Sequence, residues 1–442
     1  MIKIGRSFWW MIFLIGLSLL VSLLPGFSQN QIYKRLLVFL LIVFGINLVW
    51  SAFSIVGVKL TRISSATRKQ VGDIFSESFE ITNRSFIPKV WLKISDQAEL
   101  LSGAGSRVLT WIGGSKSRTY VAYSMLNKRG WFDLGPTQIE SGDLFGMLLF
   151  RKKVKAQSRL LVIPYTFDID KFPDPFGMLP GGRALRQKTL EMTPYAAGVR
   201  EYVQGDPLKR IHWPTSARKQ ELIVKEFEKD PLAEVWIFLD ARSNVHMQQD
   251  VRRGQALGEL WWLKQRRTYS LPPDTDEYAI SIAASISKYY IRQRREVGLV
   301  SVGQRHMILP AQRGERQLGK ILETLAVLKI EGDLPLWGLM STQITHLARG
   351  STIILITPSA EEQILTVVME LLQRKVMPVV IFIDAASFGE AESSKELSLI
   401  LANRGIMSFL IREGDDIRSI LESPQSSLNY RFASHNHQPA EP

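Results

Sequence analysis

The chain has 442 residues, 45% of them apolar and 22% charged, which is long enough for two or three domains and ordinary for folded protein. It contains no cysteine, so disulfides, thiolate metal sites and cysteine nucleophiles are excluded. The formal net charge of +13 favours an anionic neighbour. The basic residues are scattered without interleaved aromatics, so a membrane surface is expected and nucleic acid is not.

Two uncharged runs open the chain, Phe8 to Leu24 and Leu36 to Val58, separated by PGFSQNQIYKR. Each is about long enough to cross a bilayer core, the first only just. No polar face interrupts either, so a transmembrane hairpin over 1–62 is expected, with spans at 8–24 and 36–58. Lys3 and Arg6 precede the first span, and Lys59, Arg62, Arg68 and Lys69 follow the second, against Lys34 and Arg35 in the loop. This bias places both termini in the cytoplasm, at the cell (inner or plasma) membrane. The alternative is a cleaved signal peptide ending near Gly26-Phe27-Ser28, with the second span left as the anchor.

Residues 67–165 read as all-β. SESFEITNRSFIP, KVWLKISDQ, SRTYVAYSML, GWFDLGPTQIES and SRLLVIPY are short alternating or β-branched runs divided by turn residues. Five or more strands at this spacing predict a small sandwich. Residues 166–199 are rich in Pro and Gly and read as a connector.

From 233 to 423 strands and helices alternate. AEVWIFLD, VGLVSVG, STIILITP, MPVVIFID and MSFLIRE are predicted strands. EYAISIAASISKYYIRQRR is a predicted amphipathic helix, and ERQLGKILETLAVLKI, EEQILTVVMELLQRK and KELSLILANRG are helices. That alternation predicts a doubly wound α/β sheet. The stretch from His246 to Asp276 is an insert holding Trp261-Trp262 and several arginines, expected as a helix on the side of this domain. Residues 424–442 form a polar tail, expected to be disordered.

Between the connector and the α/β region lies a segment over 200–232, beginning REYVQGDPLKRIHWPTSARKQELIVKEFE. It gathers Arg200, Glu201, Gly205, Asp206, Arg210, His212, Trp213, Ser216, Arg218 and Glu226 within one supersecondary unit. Asp206, His212 and Ser216 are the residue types of a hydrolase triad, but Ser216 lies in Pro-Thr-Ser-Ala-Arg and not in a Gly-x-Ser-x-Gly elbow. The favoured expectation is a charge-bridged structural network, with arginines pairing Glu201, Asp206 or Glu226 and pinning the segment to the α/β domain. Ile211, Trp213, Leu222, Val224 and Phe227 are expected on its apolar side, with a strand from Leu222 to Glu228.

These elements, in this order and spacing, resemble the signature of the bacterial "domain of unknown function 58" proteins. Arg129-Gly130-Trp131-Phe132-Asp133-Leu134-Gly135-Pro136 and Ser141-Gly142-Asp143-Leu144-Phe145-Gly146 resemble that family's preceding β-domain. There they imply the last strands of an immunoglobulin-like sandwich; in physical terms the glycines permit tight turns and Phe145 is expected to plug a strand-end core. The α/β region resembles a von Willebrand factor A-like (Rossmann-like) domain, so the fold class implied is multidomain α+β. In that domain a divalent cation such as Mg2+ can sit on an Asp-x-Ser-x-Ser loop, a distant Thr and a later Asp. Here Asp240-Ala241-Arg242-Ser243-Asn244 keeps Asp240 but puts Arg242 and Asn244 where the serines stand, and Ile356-Thr357-Pro358-Ser359 lacks the Asp. A degenerate site at Asp240 and Ser243, without a cofactor, is therefore expected. The resemblance implies association with a MoxR-type AAA+ ATPase. The function expected is a non-enzymatic, membrane-anchored cytoplasmic scaffold or adaptor. The alternatives are a membrane-bound hydrolase using His212 and a protein that binds anionic lipid or nucleic acid.

Overall fold

The computed structural model describes residues 2–24, 31–98, 104–156, 158–172, 188–189, 196–203, 211–228, 234–247, 256–257 and 269–423, with backbone alone at 188–189, 196–200, 225–228 and 256–257. The chain divides into two compact units, Met1–Tyr165 with Asp250–Ser270, and Thr166–Gln249 with Leu271–Pro442. The tail at 424–442 and most of the connector and of the insert lie outside the described residues.

The first unit begins with β1 (Ile2–Ile4), α1 (Arg6–Leu23) and α2 (Gln31–Phe53). By length and composition both helices can cross a membrane. They carry little buried surface; Phe8 meets Phe44 between them at a ring separation of 5.8 Å, and α2 also touches β9 and β10. Of the buried polar groups in α2, Asn47 Nδ2 donates to Val43 O within the helix.

The β region contains β2 (Val58–Ser64), β3 (Arg68–Gln70), β4 (Ile74–Asn83), β5 (Lys89–Asp96), β6 (Arg107–Ile112), β7 (Ser117–Met125), β8 (Gly130–Asp133), β9 (Thr137–Gly142), β10 (Leu148–Val154) and β11 (Arg159–Ile163). Alternation explains the main strand: β4 buries every second residue, Phe75, Glu77, Phe79, Ile81 and Asn83. A sheet in the order β1-β10-β9-β5-β6 and one containing β7-β4-β2 supply the inward residues of a common core. It joins Leu60, Phe79, Ile81 and Tyr120 with Leu92, Ile94, Leu109 and Ile139. A third sheet, β3-β11-β8, closes a smaller cluster around Phe75, Leu126 and Leu160.

Three charged groups inside this unit face one another, one cation between two carboxylates. The Arg62 guanidinium sits on Glu77 at 2.5 Å and Asp96 at 2.9 Å, all three side chains nearly fully buried. Burial and the nearby Asp96 hold the Glu77 carboxyl above its ordinary value, against the opposing pull of Arg62.

Sequence patterning missed β1 and the way the hairpin joins this unit. β1 pairs antiparallel with β10, Ile4 opposite Leu148, and Gly5 N donates to Met147 O at 2.8 Å. A Cβ on Gly5 would fall 2.0 Å from Gly146 O, so only glycine permits this approach. At the other end of the hairpin Ser51 Oγ donates to Leu148 O, and the buried Lys89 Nζ donates to Phe53 O at 2.6 Å. That ammonium satisfies a carbonyl at the C-terminus of α2, where a cation also meets the negative end of the helix dipole. Phe145 does not plug a core: it is 57% exposed. The buried Asp143 holds the turn instead, its carboxylate accepting from Met147 N and Leu148 N and leaving the next two side chains to face outward.

In the second unit, β12 (Lys188–Thr189), β13 (Ala196–Glu201), α3 (Trp213–Lys219) and β14 (Ile223–Glu228) precede the larger sheet. That sheet uses β15 (Val235–Leu239), then β17 (Val297–Val302), β18 (His306–Gln312), β19 (Thr352–Thr357), β20 (Met377–Ile383) and β21 (Met407–Ile411). Between β15 and β17 the chain includes β16 (Ala256–Leu257), which pairs antiparallel with β7 and belongs to the first unit. The insert was expected beside the α/β sheet; this backbone pairing takes part of it elsewhere.

The sheet order is β18-β17-β15-β19-β20-β21, all parallel except β18. Renumbered within the sheet this is 3-2-1-4-5-6, the doubly wound order. The central strands are apolar on both faces because helices cover both. α4 (Thr275–Arg292) runs along β15, β17, β19 and β20 and packs on α5 (Glu315–Val327). It was predicted to be amphipathic, yet it is buried nearly all round, because Ala279, Ala283, Ala284 and a ladder of serines let it approach its neighbours closely. On the other face α6 (Leu336–Gln343), α7 (Gln363–Gln373) and α8 (Lys395–Asn403) join Phe238, Ile353, Leu355, Val380 and Phe382 in one cluster that contains no α4 residue.

Candidate functional site

In a doubly wound sheet, crevices form at the carboxyl ends of the strands where the order reverses. Here that point lies between β15 and β19, and Asp240 and Thr357 meet there. Thr357 Oγ1 donates to Asp240 Oδ2 at 2.7 Å, and Arg242 N donates to Asp240 Oδ1 at 3.1 Å. His246 Nε2 donates to the backbone carbonyl of Asp240 at 3.0 Å while its Nδ1 lies 3.1 Å from Thr275 Oγ1. Asp240 is buried, and that burial pushes its carboxyl above the usual range; the imidazole, the Thr357 hydroxyl and the Arg242 amide pull the other way.

Arg242 closes the cluster. Its Nη1 reaches Glu361 at 2.7 Å and its Nη2 donates to Ser359 Oγ at 3.2 Å. Glu361 also accepts from Trp337 Nε1, and Ser359 N donates to Thr357 Oγ1. The loop that presents Arg242 depends on Gly332, whose backbone bridges to Arg242 and whose absent Cβ would lie 2.1 Å from Val302 O.

A divalent cation needs free carboxylate and hydroxyl oxygens. Thr357 bonds both Asp240 and the Ser359 amide, and the Ser359 hydroxyl takes the Arg242 guanidinium, so these oxygens are already engaged and a positive charge stands beside them. Ser243 is exposed in a short 3-10 turn, its amide held by Gly332 O, and its hydroxyl is not a partner of Asp240. These residues do not fit a divalent cation. Asp384, at the end of β20, belongs to a separate group with Ser393 and Arg412. Sequence reading missed His246, Ser359 and Glu361 as partners of this cluster. Only Ser359 carried a signal, in the Thr-Pro-Ser run that ends β19.

The segment at 200–232 has a different build. β12, β14 and β13 form a small antiparallel sheet in that order, with Arg200 opposite Val224 and Gly198 opposite Glu226. His212 caps α3: its Nδ1 accepts from Thr215 N and lies 2.7 Å from Thr215 Oγ1. Pro214 follows in the first turn, where its missing amide costs nothing. The buried Ser216 Oγ accepts from Ile223 N at 2.9 Å and donates to His212 O, tying α3 to β14. Gln220 takes a left-handed conformation and ends the helix.

The imidazole of His212 therefore pairs with Thr215 and not with Ser216. Gly205, Asp206 and Arg210 lie outside the described residues. The side chains of Arg200 and Glu226 are likewise not described, while Glu201 and Arg218 are exposed. The apolar expectation is corrected in two places. Ile211, Ile223 and Val224 are buried, but Trp213 is 65% exposed and Leu222 is also exposed. Trp213 opens a helix at 213–219, which turns the indole outward.

A family model described as "Protein of unknown function DUF58" matches residues 198–258. The match runs from β13 through α3, β14 and β15, past Asp240 and Arg242, into the insert. The chain is 21% identical over 288 residues to "Uncharacterized protein YeaD" of Bacillus subtilis (strain 168), which covers 62% of this chain and 64% of that protein, just under two thirds of the relative's length. Both matches support a DUF58 protein. Solved structures give only weak likenesses. A CARDB domain from Pyrococcus furiosus in complex with di-metal ions has a TM-score of 0.18 at 7% identity, covering 24% of this chain and 91% of that one. A β-glucosidase from Listeria innocua has a TM-score of 0.13 at 11% identity, covering 22% and 16%.

Proposed function

We propose that the chain is a membrane-anchored, non-catalytic adaptor. Its hairpin spans the cell membrane, its β unit is an immunoglobulin-like sandwich, and its second unit is a von Willebrand A-like domain lying with the sandwich in the cytoplasm. The observation that carries this reading is how the two candidate chemical constellations bond. His212 and Ser216 serve the fold of their own segment, and the Asp240 cluster is closed by Arg242. Among the described residues the hydroxyl beside the His212 imidazole is that of Thr215, in the helix cap, and the one beside His246 is that of Thr275, bonded to the Met247 backbone, so both pairs serve local structure.

The pairing of β1 with β10 supports the hairpin topology. A strand before α1 and the strands after α2 share one sheet, so the chain leaves and re-enters on the same side of the bilayer. The sheet order with its one antiparallel strand supports the von Willebrand A-like assignment. On the family resemblance, the partner is a MoxR-type AAA+ ATPase. The exposed Trp213, on a helix rigidly capped and clamped to β14, is the anchor we assign to that contact, since exposed tryptophans dominate many interfaces.

The test is co-isolation from native membranes in detergent, comparing wild type with Trp213→Ala. An AAA+ ATPase enriched with wild type and depleted with a variant of unchanged melting behaviour supports the reading. Absence of an ATPase from the wild-type sample removes the proposed partner.

A further inference from the structure

Three loops of the β unit gather at the end where the hairpin joins it. β4 ends at Asn83, opposite Val58, and Arg84 N donates to Gly57 O. Lys89 bonds the last residue of α2, and Gly5, which immediately precedes α1, bonds Met147 in the β9–β10 turn. The loops at 84–88, 113–116 and 143–147 therefore lie beside the points where α1 begins and α2 ends.

These loops are held firmly and yet show apolar side chains outward. Asn83 is fully buried; its Nδ2 donates to Ile87 O and Gly113 O, and its Oδ1 accepts from Ser85 N and Ser85 Oγ. Asp143, also fully buried, fixes the other loop as described above. On this frame Phe86 is 94% exposed, Leu144 66% and Phe145 57%. Around them stand the exposed cations Lys59, Arg84 and Lys116. In 54–60, 83–89, 112–118 and 143–147 the sole acidic residue is Asp143, which is turned inward. Aromatic and basic side chains without exposed acid, next to membrane-spanning helices, match the chemistry of a lipid headgroup layer.

We propose that this end of the β unit is a membrane seat: Phe86, Leu144 and Phe145 enter the headgroup interface, and Lys59, Arg84 and Lys116 engage anionic lipid. The inference rests on the anchoring proposed above. It adds that the domain is held against the bilayer by this end and does not hang from a flexible stalk. Seating fixes the orientation of the sandwich, because β4 and β7 then stand end-on. Their far end, at Asp73 and Leu126, is about 30 Å away for a ten-residue strand.

The absence of cysteine makes the test direct. Full-length protein carrying one cysteine at position 86, 145, 42 or 128 is labelled with an environment-sensitive fluorophore. It is then placed in nanodiscs of phosphatidylcholine with phosphatidylglycerol, with or without lipids brominated near the headgroup or deep in the chains. Ile42 is the mid-helix reference in α2 and Lys128 the far-end reference in the β unit. The seat predicts blue-shifted emission at 86 and 145, quenched several-fold more than at 128 by shallow bromines, and position 42 quenched by deep ones. Replacing Lys59, Arg84 and Lys116 together by Gln should remove the dependence on phosphatidylglycerol. If 42 is quenched while 86 and 145 behave like 128, the seat is refuted and the anchor stands. If 42 is not quenched, the anchor fails and the seat with it. If 86 and 145 become dry only in native membranes and not in these nanodiscs, the surface serves a protein and the lipid assignment is overturned.

Discussion

Replacing Arg242 by Ala removes the guanidinium that bridges Glu361 and Ser359. Arg242 is 9% exposed at the side chain and Glu361 is 37% exposed, so the carboxylate left behind regains some water. A fully buried pair broken in this way loses about 3–5 kcal/mol; the exposure of Glu361 reduces the expectation to about 2 kcal/mol. For a unit of this size that lowers the melting midpoint by roughly 4–8 °C. The two units need not melt together, so the local readout is hydrogen exchange of peptides covering 240–247 and 352–361, which should lose protection first. The same experiment with millimolar Mg2+ separates the roles of the arginine. Wild type should show no metal-dependent shift, because the charge is already in place. The double variant Arg242→Ser with Asn244→Ser supplies hydroxyls and removes that charge, and is expected to gain stability with Mg2+. Stabilisation of wild type by Mg2+, or an Arg242→Ala protein with unchanged exchange, refutes the account of Arg242 as a built-in cation.

Asn83→Ala strands several half-buried partners and should destabilise the first unit by about 3 kcal/mol, read as a fall of roughly 6–12 °C in its melting midpoint. Glu77 is held above its ordinary carboxyl value when folded, so the stability it contributes is fully present below the unfolded value and is lost as pH rises through the folded one. Glu77→Gln should therefore gain on wild type in urea unfolding as pH rises from the carboxylate range to neutrality; a difference that shrinks over that range contradicts the assignment. For topology, Gln31→Cys should react with an impermeant maleimide in intact cells and Lys128→Cys only after lysis. The reverse pattern would invert the orientation proposed for the hairpin.

Much of this fold was legible in the sequence because its strands and helices follow simple periods. Phe75, Phe79 and Ile81 announce β4 by alternation, and β15 and β19 read as continuous apolar runs because both faces are covered. β18 was not legible: His306 to Gln312 carries Pro310 and polar residues, which an edge strand tolerates and a central strand does not. α6 was hidden by its short length. α4 looked amphipathic because serines score as polar, though their hydroxyls return to the helix's own carbonyls at Ser281 and Ala283. At the site, spacing identified Asp240 and the odd Arg242. It could not identify Glu361, more than a hundred residues away, because only the closing of the sheet brings β15 beside β19. Trp213 was misplaced for a local reason: it was expected on the apolar side, but His212 and Pro214 start a helix there that turns the indole outward.

The central claim is an adaptor whose exposed Trp213 binds an AAA+ ATPase. It is tested most directly by measuring binding of the purified MoxR-type ATPase from the same cell to the full-length protein in nanodiscs, by interferometry, with Trp213→Ala in parallel. Loss of a buried tryptophan anchor predicts saturable wild-type binding weakened at least about tenfold in the variant, with both proteins melting alike. No binding to wild type, or equal binding to both at the same melting midpoint, contradicts the claim.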